Sequence, residues 1–254
     1  MRNFSDEELI SRIWDIEEIK KLIHRRVYYQ AEDRREDELS DLWVREPQNR
    51  ESASFGRNWG YYTGMDNIYN YYVKEHYKKL DEQKNENHAS NINQGNIYAH
   101  PVSTGLVELA CDGKTAKGMW YSIAQETKAV SETEAYAGWI LEKIAVDFIR
   151  EQEGFRIWHM VIAMDLNCEA GTDYSQTPVY VDLKTDPQYI EFGQPTIAKI
   201  LHDPVFNWWD DYPAVPNSYE TFSDDISYGP EGFRKPENKG LEAGEGGGYL
   251  WKMI

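Results

Sequence analysis

Tyr28, Asp33 and His100 are the residues whose types and placement suit proton chemistry. Tyr28 and Asp33 stand five positions apart at the end of a run with helical periodicity. A phenol and a carboxylate so placed can hydrogen-bond a common partner, and a carboxylate can orient an imidazole as general base. The pair reads equally as a tyrosine packed at a helix end and an aspartate capping the next helix. His100 opens a strand-like run and is followed by Pro101, Ser103, Thr104 and Gly105. An ordinary pKa of about 6.5 makes histidine the usual proton carrier near neutrality, while a histidine hydrogen-bonded at a strand start is the plainer reading.

Two further residues carry similar pairs of readings. His159, in Phe155-Arg156-Ile157-Trp158-His159, shares strand parity with Phe155 and Ile157 and is either a pocket histidine or a satisfied structural one. Glu142 shares parity with Ile140, Ile144 and Val146. Burial there raises a carboxyl pKa unless a partner offsets it, and raised carboxyls mark functional sites; a Lys or Arg on the adjacent strand is the ordinary partner. The strand aromatics Trp59, Tyr61, Trp120 and Trp139 belong to a core, an interface or the lining of a pocket, and such linings are largely apolar with a few polar handles.

The elements that must position these groups follow from periodicity. Ser5 and Glu8 have capping-box spacing, and Asp15 and Glu18 repeat it one helix length later. Ile16, Ile19, Leu22, Ile23 and Val27 then recur on one helical face through residue 31. A short acidic turn leads to a small helix ending near Trp43. Residues 54–63 have strand-like spacing, 65–80 return to helical spacing through Ile68, Tyr72 and His76, and 81–96 read as an exposed, Asn-rich loop. From residue 97 the pattern becomes long strands, 97–110, 115–126, 134–150 and 155–166, with Asp112-Gly113 and Glu153-Gly154 at hairpin turns. Helices first and strands later predict an α+β fold. The third run is apolar on both parities, which requires two covers; a partner subunit is the expected second one.

Composition narrows the function classes. The formal net charge is −17 with Lys and Arg scattered, which opposes nucleic acid and anionic membranes. The opening MRNFSDEELISRIW lacks the pattern of a secretory leader, and no long apolar run occurs, so a cytoplasmic protein is expected. Cys111 and Cys168 lack metal or disulfide spacing, and the six histidines form neither HxH nor HExxH, so no metal is expected. No GxGxxG, GxxxxGK[ST] or GxSxG occurs, leaving nucleotide cofactors and serine-hydrolase chemistry without support. Prolines, acids and isolated aromatics dominate after residue 166. The expectation is a body over residues 1–166 and an extension over 167–254 whose Tyr219, Phe222, Tyr228 and Tyr249-Leu250-Trp251 pack on the body or on a neighbouring protomer.

Three segments together resemble the SnoaL-like, nuclear transport factor 2-like superfamily: Tyr28-Tyr29-Gln30-Ala31-Glu32-Asp33 with Asp37 and Leu42-Trp43; His100 through Asp112-Gly113 to Trp120; and Asp147-Phe148-Ile149-Arg150-Glu151 through His159. The resemblance implies a cone-shaped α+β barrel, a curved mixed sheet wrapped by N-terminal helices, often dimerised through its convex face. The superfamily holds polyketide cyclases, scytalone dehydratase, bile-acid dehydratases and steroid isomerases, which are proton-transfer enzymes without cofactors, and also pure binding modules. Tyr28 and Asp33 match the Tyr-x4-Asp of its dehydratases and His100 matches their strand histidine; the second acid or base of the next strand falls at Gln125 or Glu126. What the resemblance implies is a dehydratase, isomerase or cyclase acting on a small, largely apolar hydroxylated ring compound. In it His100, oriented by Asp33, moves the proton, Tyr28 donates to the oxygen, and Trp59, Tyr61, Trp120, Gln125, Trp139, Glu142 and His159 line the pocket. A non-catalytic ligand-binding or assembly module with the same fold is the alternative.

Overall fold

The computed structural model describes residues 4–86, 96–129, 135–171, 193–202 and 212–232. Ser5 caps α1 (Asp6–Ala31): its hydroxyl accepts from the Glu8 N–H while the Glu8 carboxylate accepts from the Ser5 N–H, as the spacing predicts. α1 is one continuous helix, so the second capping signal goes unused. The Asp15 carboxylate instead takes the Arg150 guanidinium at 2.5 Å. The face that α1 buries carries Ile19, Ile23, Arg26 and Gln30, spaced for a single stripe. Two of these four are polar.

α1 ends in a tight turn in which Asp33 has φ 54° and the Arg34 N–H bonds the Tyr29 carbonyl; aspartate is one of the few side chains that accept this left-handed geometry. α2 (Arg35–Leu42), α3 (Pro47–Ser52) and the hairpin β1 (Ser54–Arg57) and β2 (Gly60–Thr63) follow. α4 (Met65–Tyr69) passes through a π-helical segment, Asn70–Glu75, directly into α5 (His76–Glu86). Helix therefore continues over residues 81–86, where a loop is expected from the sequence; 87–95 lie outside the described residues.

The remaining strands are β3 (Ile97–Ala99), β4 (Val102–Leu109), β5 (Thr115–Ala129), β6 (Ala135–Glu151), β7 (Gly154–Glu169) and β8 (Ile197–Ala198). They form a curved, unclosed sheet of order β3-β5-β6-β7-β1-β2-β8, with β4 also on β5; the β1–β7 pair is parallel and the others antiparallel. The first long strand splits at His100-Pro101, where proline has no N–H to give the ladder. A glycine is required at 105 because its Cα lies against the Trp120 indole with no room for a Cβ.

The inner face of β6 is buried from Gly138 to Phe148, while its outer face is fully buried only around Ala145 and Asp147, so the two-sided burial expected from its sequence holds over part of the strand. Inward, Ile144, Val146 and Phe148 pack with Trp120, Met160 and Ile162 against the helices, each fully buried large side chain worth about 1.5–3 kcal/mol. Outward, Ala145 joins Met119, Val161, Ala163 and Tyr61, and the cover is the chain's own Leu201, Tyr212 and Tyr228. Over this half of the face the extension takes the place in which a partner subunit is expected. Toward β3 no described residue closes over the outer face, with Ile123 60% exposed and Tyr121 and Trp139 beside it.

The described parts of the extension hold to the body by specific bonds. β8 pairs with β2, the Cys111 N–H donates to the Tyr219 carbonyl, the Tyr219 and Thr115 hydroxyls meet at 3.1 Å, and Phe222 packs on Trp158 at 5.0 Å. Between Phe222, Trp158, Arg150 and the β4–β5 turn lies an open hollow of about 330 Å³. Tyr249, Leu250 and Trp251 lie outside the described residues. No described helix is long and apolar enough to cross a membrane.

Candidate active site

Alternation along β5 sends Trp120, Ser122, Ala124 and Glu126 inward, and the β5–β6 register sets Ser122 opposite Glu142. The interruption of the strand at His100-Pro101 leaves the imidazole on the same side. His100 Nδ1 donates to Glu142 Oε1 at 2.9 Å and Nε2 to Glu126 Oε1 at 3.0 Å. Both ring nitrogens can donate only in the imidazolium. Burial opposes that charge, but the bonds to Glu126 and Glu142 outweigh it and raise the His100 pKa above its ordinary 6.5. Burial likewise pushes Glu142 up, yet His100, then Arg57 and Arg26, hold it below its ordinary 4.5. The two carboxylates differ in access: the Glu142 side chain is 2% exposed and that of Glu126 15%. The imidazole thus has a buried end and a rim end.

Polar groups from the helices and β1 surround this trio. Arg26 of α1 pairs with Glu38 of α2 at 3.2 Å, and the Tyr72 hydroxyl donates to the other Glu38 oxygen at 2.7 Å. Arg26 Nη1 and Nη2, Gln30 Oε1 and Ser122 Oγ are buried and meet no partner among the described residues. Arg57 follows Phe55 on the inner parity of β1, with its guanidinium 5.2 Å from the Trp59 ring. It makes no ion pair with a described residue, and its Nε is buried without an acceptor. Buried polar atoms are ordinarily satisfied, so this group of unpartnered ones calls for an explanation, and a polar ligand is one that fits.

At the rim, Asp33 Oδ1 accepts from His76 Nε2 at 2.7 Å and from Arg35 Nε at 3.2 Å. The unbroken α4–π–α5 segment brings His76 there, and π-helical turns are frequent at functional sites. Burial raises the Asp33 carboxyl, but His76 and Arg35 outweigh it and lower its pKa. Tyr98 sits between, its ring 6.0 Å from that of His76, and burial followed by the charges of Asp33 and Glu126 pushes the phenol up, with Arg35 opposing. Among the described residues no cluster of these acids and histidines is arranged to hold a metal ion.

The expected Asp33–His100 dyad is therefore not the one that forms. His76, inconspicuous in sequence, takes Asp33, and His100 takes two strand carboxylates instead. Tyr28 is 68% exposed on the outer side of α1 and joins neither group. Glu142 is paired as expected, but with an imidazole rather than a Lys or Arg, and its pKa falls rather than rises. Gln125 and Trp139 oppose each other on the outer face, both exposed; the second acid of β5 is Glu126. Trp120 lies in the inner core and Trp59 is buried, donating to the Tyr62 hydroxyl at 3.1 Å. Tyr61 faces outward, bonded to the Tyr212 hydroxyl at 2.6 Å and the Tyr228 carbonyl at 3.1 Å.

His159 also faces outward, where β7 sets it opposite Asp147. Asp147 accepts from Lys117 Nζ at 2.5 Å, His159 Nδ1 at 3.0 Å, Ser227 Oγ at 3.3 Å and the Tyr228 N–H at 2.6 Å. Burial raises Asp147, and Lys117 and His159 outweigh it, leaving it lowered. Ser227 and Asp147 share one nitrogen of His159, whereas a nucleophilic triad places serine and acid on opposite nitrogens.

Residues 11–161 match the SnoaL-like domain. The chain belongs to the SnoaL-like family. An NTF2-like protein with a cystatin-like fold from Novosphingobium aromaticivorans is 21% identical, over 63% of this chain and 90% of that one, with TM-score 0.44. A hexachlorocyclohexane dehydrochlorinase from Novosphingobium barchaimii is 12% identical over 67% and 98%, with TM-score 0.47. Comparison with curated proteins finds no match. Within this SnoaL-like chain, sequence reasoning did not single out Arg26, Arg57 or His76. The signal for Arg26 was its place on the stripe of Ile19 and Ile23, and for Arg57 its alternation with Phe55.

Proposed function

We propose that this SnoaL-like protein is a cofactor-independent acid/base enzyme, of dehydratase or isomerase type, acting on a small hydroxylated ring compound. The observation that carries the reading is His100 held by opposite nitrogens between a deeply buried carboxylate and one at the rim. Glu142 fixes the ring orientation and supports its positive charge, the role of the acid in a triad. Nε2 and Glu126 are the working groups. In a dehydration the Glu126 carboxylate takes the proton next to a ring carbonyl, the C–O bond to the neighbouring hydroxyl breaks, and the His100 Nε2 proton leaves with it as water. A carbon–carbon double bond forms. The proton then passes from Glu126 back to His100 across their 3.0 Å contact. Acid and base assistance of this kind contributes about 10²–10⁴-fold.

The test is solvent-deuterium exchange into a hydroxytetralone, followed by mass spectrometry. Wild-type protein should catalyse it and Glu126→Gln should not; equal exchange by both removes the mechanism. The double clamp on His100 favours a second reading, a binding module, because the imidazole has no free lone pair until a carboxylate moves. Tight binding of the ring compound with no exchange by wild type supports that reading. The open strip of Tyr121, Ile123 and Trp139 is where a second copy would seat, and sedimentation of Ile123→Glu against wild type tests this.

A further inference from the structure

We infer that the inner site takes a ring compound bearing a carboxylate, held by Arg57 with Arg26 behind it. The inference rests on the acid/base reading for its location and adds the substrate class, since a neutral, largely apolar ligand leaves Arg57 without a counter-charge and the terminal nitrogens of Arg26 without an acceptor among the described residues. The other charged groups of the interior are matched: Arg26 with Glu38, Arg35 and His76 with Asp33, and His100 with Glu126 and Glu142. Arg57 has no acid among the described residues; it rests on the Trp59 ring, and its charge reaches Glu142 and Tyr71. Arg26 is 1% exposed; its Nε lies 3.2 Å from Glu38 as an ion pair without hydrogen-bond geometry, and neither terminal nitrogen meets an acceptor among the described residues. A guanidinium cannot shed its proton to escape burial, so its desolvation is answered by an anion. Its planar fork matches a carboxylate in two parallel hydrogen bonds. Glu142 does not fill this role, because its Oε1 is bonded to His100 and it faces Arg26 and Arg57 only as a charge.

Carboxylate recognition also sets a specificity. A site with unpaired donors rejects an analogue that cannot satisfy them far more strongly than an apolar pocket rejects a change of size. The carboxylate therefore selects the substrate while His100 and Glu126 act on the ring.

The experiment compares a tetralone carboxylate with its carboxamide, by calorimetry for affinity and by deuterium exchange for chemistry. The carboxylate should bind at least tenfold more tightly, Arg57→Gln should remove that preference, and Arg57→Lys should restore part of it. A near-ultraviolet circular dichroism spectrum like that of wild type shows that each variant is folded. Equal affinity for the two compounds, or a preference that survives Arg57→Gln, overturns the inference. Exchange of both compounds at equal rates and affinities would leave the acid/base reading standing without the carboxylate; selective binding with no exchange would do the reverse.

Discussion

Two buried histidines, on opposite faces of one sheet, each meet carboxylates, and they differ in how their nitrogens are used. On the outer face Asp147 receives four donors, from Lys117, His159, Ser227 and the Tyr228 backbone, and the extension closes over them. His159 spends its other nitrogen on the Ser52 carbonyl at 3.2 Å. On the inner face His100 spans a buried and a partly exposed acid, and the surrounding Arg26, Arg57, Gln30 and Ser122 have atoms with no partner among the described residues. A saturated network fixes structure. An unsaturated one at a rim is where a ligand completes the hydrogen bonding.

Substituting each histidine is the strongest way to break this contrast. His100→Gln should cut exchange by about 10²–10⁴-fold, while His159→Gln should leave the rate per folded molecule near wild type; mass-spectrometric exchange reads both. Asp147→Ala should instead cost stability, about 3–5 kcal/mol in urea unfolding, because Lys117 is left buried without its counter-charge. Tyr228→Phe removes the hydroxyl bond to the Ala214 carbonyl at 2.6 Å and should cost about 0.5–1.5 kcal/mol with no change in exchange.

The smallest effect is a pH signature of the inner pair. His100 is raised above 6.5, so its stabilisation is complete below 6.5 and lost as pH climbs through the folded value. Glu142 is depressed below 4.5, so its contribution is present above 4.5 and lost as pH falls through the folded value. The stability difference between wild type and His100→Gln should therefore be widest between 4.5 and 6.5 and narrow on either side. A difference that does not vary with pH would remove the charged clamp.

The elements were legible because periodicity is local: the Ser5–Glu8 cap and three of the four long strands stand in the structure, and the first run splits only where Pro101 interrupts it. The pairing of charges was not, because it depends on register and on helix continuity. Gln125 and Glu126 are neighbours in sequence, and only the strand's phase decides which faces His100. The second carboxylate, Glu142, was visible as a charge on an apolar parity, but its partner lay 42 residues away. His76 reached Asp33 because α5 follows α4 through a π segment without a break, a feature that spacing does not announce. The outer cover came from the extension, whose composition gave no period to read.

The inner histidine answers a ligand and the outer one does not. Imidazole nitrogen NMR during titration with the tetralone carboxylate tests it in one spectrum series. The His100 signals should move with saturation while those of His159 stay fixed. Movement of His159 with His100 unchanged would contradict it.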